Sequence, residues 1–351
     1  MRKKLIGAVS EANNAQSFDL EEIKTNIRIL TEKTNLINAK LDLYLLQLYR
    51  KEHETTQEAK ERFFNNIPDA SGRLLMYQKA NTKLLSKLLT FCAQADVQCW
   101  MWSGSAIATV ARHRAIPWDD DIDVCMMRED FLKLEKTINE SNEYYITTVY
   151  DFLAKNKQYR FISKNPMVYN FIDIVVCDWG TLPSIDKEEQ YKKIKSDLED
   201  EFNNKEMYNT WRSASYISAS CSPINQYNYI KSLQEEKNIE YVFKRAFQSA
   251  FEKDILCKKE YAKSVVYGID NLFNSPDRIY ILAKDVIFPL KKMKYENIDV
   301  FVPRKYREFC SASYKDWPFI PNDILEYRHM PEGLLDNPEI LVELEKFINQ
   351  D

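Results

Sequence analysis

Glycine is scarce, with 6 in 351 residues. A chain so poor in the residue that best tolerates tight turns and left-handed backbone favours long helices over a turn-rich build. The three histidines, His53, His113 and His329, stand far apart, and none of the seven cysteines lies in a C-x-x-C pair, which argues against a structural zinc site. The cysteine count is odd and the residues are scattered. That fits a reduced, cytoplasmic protein with cysteines serving as small core residues. No apolar run approaches the eighteen or so residues of a membrane span. Met1-Arg2-Lys3-Lys4 has the charge of a secretory leader, but the apolar stretch behind it, LIGAV, is far too short. The net charge is only −4 and the pI about 5.7, so neither nucleic acid nor a strongly anionic membrane is suggested as a partner.

What is present is apolar and aromatic matter: 45% hydrophobic residues and 13% aromatic ones, ample for one large domain or two ordinary ones. The pattern divides the chain into a helical arm over residues 1–70 and a catalytic body over 71–351, the latter with a helical insert at about 180–264. In the arm Leu20, Ile27, Leu41 and Leu48 fall on one heptad position, interrupted by Thr34, and Ile23, Leu30, Ile37 and Tyr44 fall on the other. The spacing describes either a dimerising coiled coil or one amphipathic helix docked on its own catalytic domain. Ile29, Leu43, Leu45 and Leu46 widen the apolar face beyond a narrow seam. Residues 55–62 are polar, and Asn65-Asn66-Ile67-Pro68-Asp69 reads as a break.

Beyond the break, Ser71 is placed to cap a helix from about Arg73 to Ala95, and Val97–Trp102 reads as a strand. A helix follows over Ala106–Ala111, with Gly104-Ser105 at its N-terminus, where backbone N–H groups can hold phosphate. Then comes WDDDIDVCM. On an extended strand residues two apart share a face, roughly 7 Å apart. Asp121 and Asp123 therefore project together while Ile122 and Val124 face the core, and Asp119 falls on the same side. Asp120 is expected to face the other way. In NFIDIVV, Asp173 stands alone on an otherwise apolar strand. Carboxylates so placed suit a hard cation, Mg²⁺ or Mn²⁺. With Phe131–Ile138 helical and Tyr144–Tyr150 and Arg160–Ser163 as strands, the fold class is α/β (α+β), a mixed sheet flanked by helices.

A helix-opening Gly-Ser, a strand with two alternating aspartates and a second strand with one make a nucleotidyltransferase-like pattern. The wording IPWDDDIDV is narrower still and resembles the LicD/fukutin family, as do Gly104 and Ser105 at the matching upstream spacing. Ala111 stands where that family carries an arginine, so Arg112 and Arg114 are the candidates to replace it at the donor phosphates. Resemblance resumes at AKDVIFPL and continues to SASYKDWPFIPNDILEYRH, where Tyr314, Asp316, Pro321, Arg328 and His329 match and Lys315 replaces a glycine. Glu296 matches a family glutamate, either as a polar core contact or as a site residue.

The resemblance implies a phosphotransferase. A CDP-linked alcohol, CDP-choline or similar, would set its diphosphate over Gly104 and Ser105, with Arg112, Arg114, Arg328 and His329 as further donor-binding groups. Asp121, Asp123 and Asp173 would be the catalytic, metal-holding residues, with Asp119 as a further ligand. The phospho-alcohol would pass to a sugar hydroxyl of a cell-surface glycan or its precursor, as in capsule, teichoic acid or lipopolysaccharide decoration, with peripheral membrane contact if that acceptor is lipid-linked. Tyr191, Tyr208, Trp211, Tyr216, Tyr227 and Tyr229 in the insert read either as a cage for a choline headgroup or as ordinary packing aromatics. Nucleotidyl transfer on the same fold, and a non-catalytic scaffold built around the arm, are the competing readings.

Overall fold

The computed structural model describes residues 23–34, 36–37, 40–41, 49–151, 156–202, 236–270, 281–314, 317, 329–331 and 333–350. The chain divides into two units, 1–63 and 64–351. In the first, residues 23–34 are helical. Helix α1 (Thr56–Asn66) begins in this unit, runs along the polar stretch 55–62 of the helical arm and ends where Asn65-Asn66-Ile67-Pro68-Asp69 reads as a break. Its start is set by a capping box: Thr55 Oγ1 accepts from the Glu58 N–H at 3.2 Å, and Glu58 Oε2 accepts from the Thr55 N–H at 2.8 Å.

The second unit is built on α2 (Gly72–Gln94), whose Tyr77, Ala80, Leu84, Leu88 and Cys92 recur at helical spacing and are buried. Ser71 occupies its N-cap position, but the side chain makes no capping bond. Strand β1 is shorter than the apolar run Val97–Trp102 suggests. Only Trp100–Met101 pairs, because the backbone turns at Ser103 (φ +48°) into helix α3 (Ser103–Arg112). Strand β2 (Asp123–Met127), helix α4 (Arg128–Asn139), and strands β3 (Tyr144–Asp151), β4 (Asn156–Ser163) and β5 (Phe171–Gly180) follow.

The main sheet runs β1-β2-β5-β4-β3, and β2 and β5 are its parallel pair. Strand β5 is buried along its whole length, as a central strand rich in Val and Ile should be. Two further strands, β6 (Ser264–Tyr267) and β7 (Ile281–Ala283), extend the sheet from the far end of β5. Helices α5 (Ile185–Phe202) and α6 (Glu236–Glu252) are the described parts of the insert, and they bury a cluster of their own around Tyr191, Ile194, Val242 and Phe243. Helix α7 (Lys284–Ile287), the hairpin β8–β9 (Lys291–Tyr295, Ile298–Val302), and helices α8 (Tyr306–Ser313) and α9 (Pro338–Asn349) complete the unit. Among the described residues no helix is long and apolar enough to cross a membrane.

Candidate active site

Parallel pairing sets Asp123 directly opposite Asp173, and antiparallel pairing sets Arg160 on β4 opposite Asp173. Residues paired across neighbouring strands share a face, so the three side chains rise together from one side of the sheet. Asp121, one alternation before Asp123, joins them. Carboxylate oxygens of Asp121, Asp123 and Asp173 all lie within 4.8 Å of one another, close enough to hold one metal ion. Burial, and then the charges of Asp121, Asp173 and Asp119, hold the Asp123 carboxyl well above the usual carboxylate range. Burial likewise raises Asp121, and both burial and the charge of Asp121 raise Asp119. Buried like charges in contact are strained unless a cation lies among them.

The N-terminus of α3 adjoins this cluster. A methyl group on Gly104 would stand 3.3 Å from Asp119 Oδ2, so the turn and the carboxylate approach closely. Ser103 holds a left-handed conformation that costs a non-glycine residue energy, and its Oγ lies 2.7 Å from the Tyr314 hydroxyl. Ser105 is buried, and its Oγ accepts from the Asp123 N–H at 2.9 Å. Its visible role is to fix the start of β2 against α3.

Asp120 corrects the expectation that it faces away. Its carboxylate is buried and accepts three bonds from a segment some two hundred residues later: His329 N–H (2.9 Å), Met330 N–H (3.0 Å) and His329 Nδ1 (2.9 Å). The imidazole is thereby held 3.3 Å from Asp121 Oδ2. Burial lowers the His329 pKa, but the bond to Asp120 and the charges of Asp121, Asp120 and Asp173 outweigh it and carry it up to about 10. Asp120, Asp121 and His329 form a second group close enough to hold an ion. Asp120 already spends its oxygens on three donors, which favours the first group for that role.

Arg112 and Arg114 are not brought to the carboxylates. Gly104 and Arg112 are eight residues apart on α3, about 12 Å along the axis, so the helix carries the arginine to its opposite end. There the buried Arg112 donates to Phe64 O, to Ile67 O (3.0 Å) and to Asp69 Oδ1 (2.6 Å). Arg114 donates to Asp69 Oδ1 (2.6 Å) and to Asn65 O (2.8 Å) and Oδ1 (3.0 Å). These guanidinium groups fasten the 64–69 segment. Arg328 lies outside the described residues, as do the insert aromatics Tyr208, Trp211, Tyr216, Tyr227 and Tyr229. Tyr191 is buried, and its hydroxyl donates to Tyr267 O at 3.0 Å, a packing role. Glu296 Oε1 accepts from the Ala115 N–H at 3.1 Å and so holds the loop between α3 and the aspartates.

Three site residues escaped the sequence reading. Arg160 donates through Nε to Asp173 Oδ1 at 2.7 Å, with its guanidinium 3.9 Å from the centre of the Phe171 ring. The signal was there: a single charge between Tyr159 and Phe161 on a strand, the same oddity that marked Asp173. Gln78 and Asn81 on α2 bind the backbone of the aspartate loop, Gln78 through Ile116 O and Asp119 O (both 2.8 Å) and Asn81 through Asp120 O (2.9 Å). Two amides on the buried side of an apolar helix are their only sequence mark.

Residues 96–207 match the family model described as LicD/FKTN/FKRP, nucleotidyltransferase domain, and this supports membership of the LicD family. The matched stretch holds Gly104, the four aspartates and Asp173, whereas His329 lies outside it. No curated protein matches the chain.

Proposed function

We propose that this LicD-family chain transfers a phospho-alcohol, phosphocholine first among the candidates, from a CDP-linked donor to a sugar hydroxyl. The observation that carries the reading is the meeting of Asp121, Asp123 and Asp173 beside the N-terminus of α3. The donor set is all hard oxygen and carries surplus negative charge, which fits Mg²⁺ or Mn²⁺ and fits softer metals poorly. Asp121, Asp123 and Asp173 would hold it, with Asp119 beside them. Such an ion supplies charge neutralisation for the transferring phosphoryl oxygens and for the departing CMP.

The chain's own residues supply the rest. The first turn of α3, with N–H groups at its open end, receives the donor diphosphate. Ser105 fixes Asp123 relative to that turn. Among the described residues, Arg160 and His329 are cationic side chains in contact with the carboxylate cluster, and they offset part of its charge. Asp120 orients the imidazole through Nδ1 and both neighbouring backbone N–H groups. A carboxylate of the cluster, Asp173 in the simplest arrangement, accepts the proton of the attacking sugar hydroxyl.

The test is a panel of CDP-linked alcohols (choline, ethanolamine, ribitol, glycerol) with Mg²⁺ and a sugar acceptor, read by CMP release. CMP formed from one donor above the others supports the reading and names the alcohol. Release of pyrophosphate from a nucleoside triphosphate instead, with no CMP from any CDP-alcohol, would identify nucleotidyl transfer. An absence of metal binding would remove both.

A further inference from the structure

The arm carries a feature that the chemistry leaves unused. Its described residues are helical, and the apolar side chains on both heptad positions, Ile23, Ile27, Leu30, Ile37 and Leu41, are between 53% and 64% exposed. Large aliphatic side chains in a continuous stripe mark an interaction surface, whereas isolated ones do not. In the sequence the heptad from Leu20 to Leu48 spans four repeats, the number a sustained coiled-coil pattern needs.

The flanking positions specify the occupant and its direction. One edge of the seam carries Asp19, Asn26, Lys33 and Lys40, and the other carries Lys24, Thr31 and Asn38. If two copies run parallel and in register, each residue of the first edge meets the residue five positions later on the second edge of its partner. Asp19 then faces Lys24, an opposite charge. Asn26 faces Thr31, Lys33 faces Asn38 and Lys40 faces Leu45, none of them a clash of like charges. In an antiparallel pair like edges meet, and the two registers that overlap most of the heptad set Lys33 against Lys33 or Lys40 of the other copy, a repulsive contact. Thr34 also finds an equal only in the parallel register, where it lies opposite itself. A polar residue at one seam position is a device that fixes register at some cost in stability.

We propose that the arm binds a second copy of this chain as a parallel, in-register coiled coil. The partner is therefore self. The two second units leave the coil at the same end, as the parallel direction requires. This surface shares no residue with the candidate active site, and the proposal stands or falls independently of the reaction.

The experiment uses the full chain. Sedimentation equilibrium over a wide range of concentration is expected to give the mass of a dimer. Leu30→Glu with Ile37→Glu is expected to give a monomer that still unfolds cooperatively and binds Mg²⁺ as the parent does. Direction is read with Ile27→Cys, because position 27 meets itself only in a parallel pair. Mild oxidation should convert that variant, and not the parent, to a covalent dimer. A parent that stays monomeric at all concentrations, including one in which the arm folds back on its own chain, would overturn the proposal. A dimer that survives the double glutamate substitution would place the interface elsewhere and overturn it as well. A dimer in which Ile27→Cys does not cross-link would overturn the parallel arrangement.

Discussion

Two clusters of buried carboxylates sit at opposite ends of the same parallel strand pair. At one end Asp123 opens β2 and Asp173 lies near the start of β5. At the other, Arg128 follows β2 directly and Asp178 lies near the end of β5, five residues or about 17 Å from Asp173. The far cluster is paired with its own cations, although burial still raises the Asp178 carboxyl against the pull of Arg128. Arg128 forks onto Asp178 (2.7 and 2.9 Å) and reaches Asp270 (2.7 Å), while Lys157 pairs with Glu240 (2.7 Å) and lies 4.0 Å from Asp270. Burial would raise Asp270, but Arg128 and Lys157 outweigh it and hold that carboxyl below its usual range. At the near end Asp119, Asp120, Asp121, Asp123 and Asp173 face Arg160 and His329, and the carboxyls of Asp119, Asp121 and Asp123 are raised. The same residue type on the same strands thus serves two ends. Where the chain supplies its own cations the cluster is architecture. Where it withholds them, the cluster is a place for something else to bind.

The contrast is tested most severely at Asp123. Asp123→Asn keeps the shape and removes one of the opposed charges, so donor turnover is expected to fall on the order of 10²–10³-fold. The metal-free protein should melt at the same temperature as the parent or higher, because a like-charge contact is relieved. Mg²⁺, which should raise the parent's melting temperature, should do so much less in the variant. A large loss of stability without metal would mean that this end is architecture too.

The opposite outcome is expected at the far end. Arg128→Met leaves Asp178 and Asp270 buried without their main partner, and urea unfolding should show a loss of about 3–5 kcal/mol. The Mg²⁺ affinity of the folded fraction should stay as in the parent. If affinity fell while stability held, the two ends would have exchanged roles.

A smaller effect separates a chain-supplied cation from an added one. Arg160 occupies an oxygen of Asp173 that the metal would use, so Arg160→Ala should bind Mn²⁺ about tenfold tighter by calorimetry, near the worth of one hydrogen bond to a charged group. Turnover should fall nonetheless. An unchanged or weakened affinity would show that Arg160 assists the ion and does not compete with it.

The least conspicuous effect belongs to Lys195 on α5, beside the far cluster. Burial lowers its pKa from 10.5 to about 8, against the pull of Asp270. Between about pH 8 and 10.5 the unfolded chain binds this proton and the folded chain does not. Stability contributed by this group therefore rises with pH across that window, by at most about 1.4 kcal/mol per unit. Lys195→Met should lose that rise, and parallel pH–stability curves for parent and variant would remove Lys195 from the buried set.

The near end was largely legible in the sequence because a carboxylate on an apolar strand declares itself locally. Asp121 and Asp123 alternate with apolar residues, so strand geometry sets them on one face, and Asp173 is a lone charge in an apolar run. The mixed sheet followed from the same pattern, whereas the strand order β1-β2-β5-β4-β3 came from the structure. What escaped depends on partners distant in the chain. Arg112 and Arg114 looked like phosphate ligands because Asp69 and Asn65, their real partners, are more than forty residues away and unremarkable in sequence. Asp120 looked idle because its three donors lie two hundred residues on. Ser105 looked like a ligand at a helix N-terminus, a position that suits a ligand and a backbone clamp equally well. Helix α1 falls inside the stretch read as a helical arm, and its own bounds, set by the Thr55–Glu58 capping box, were not drawn from the sequence.

The tie between Asp120 and His329 also bears on how the protein is made. The aspartate loop emerges from the ribosome long before residue 329 exists, and until then the buried Asp120 carboxylate has none of the three donors that later satisfy it. A nascent or prematurely ended chain can therefore form the sheet and still hold that loop in the wrong place. The aspartate loop reaches its final bonding only once the later segment has been made.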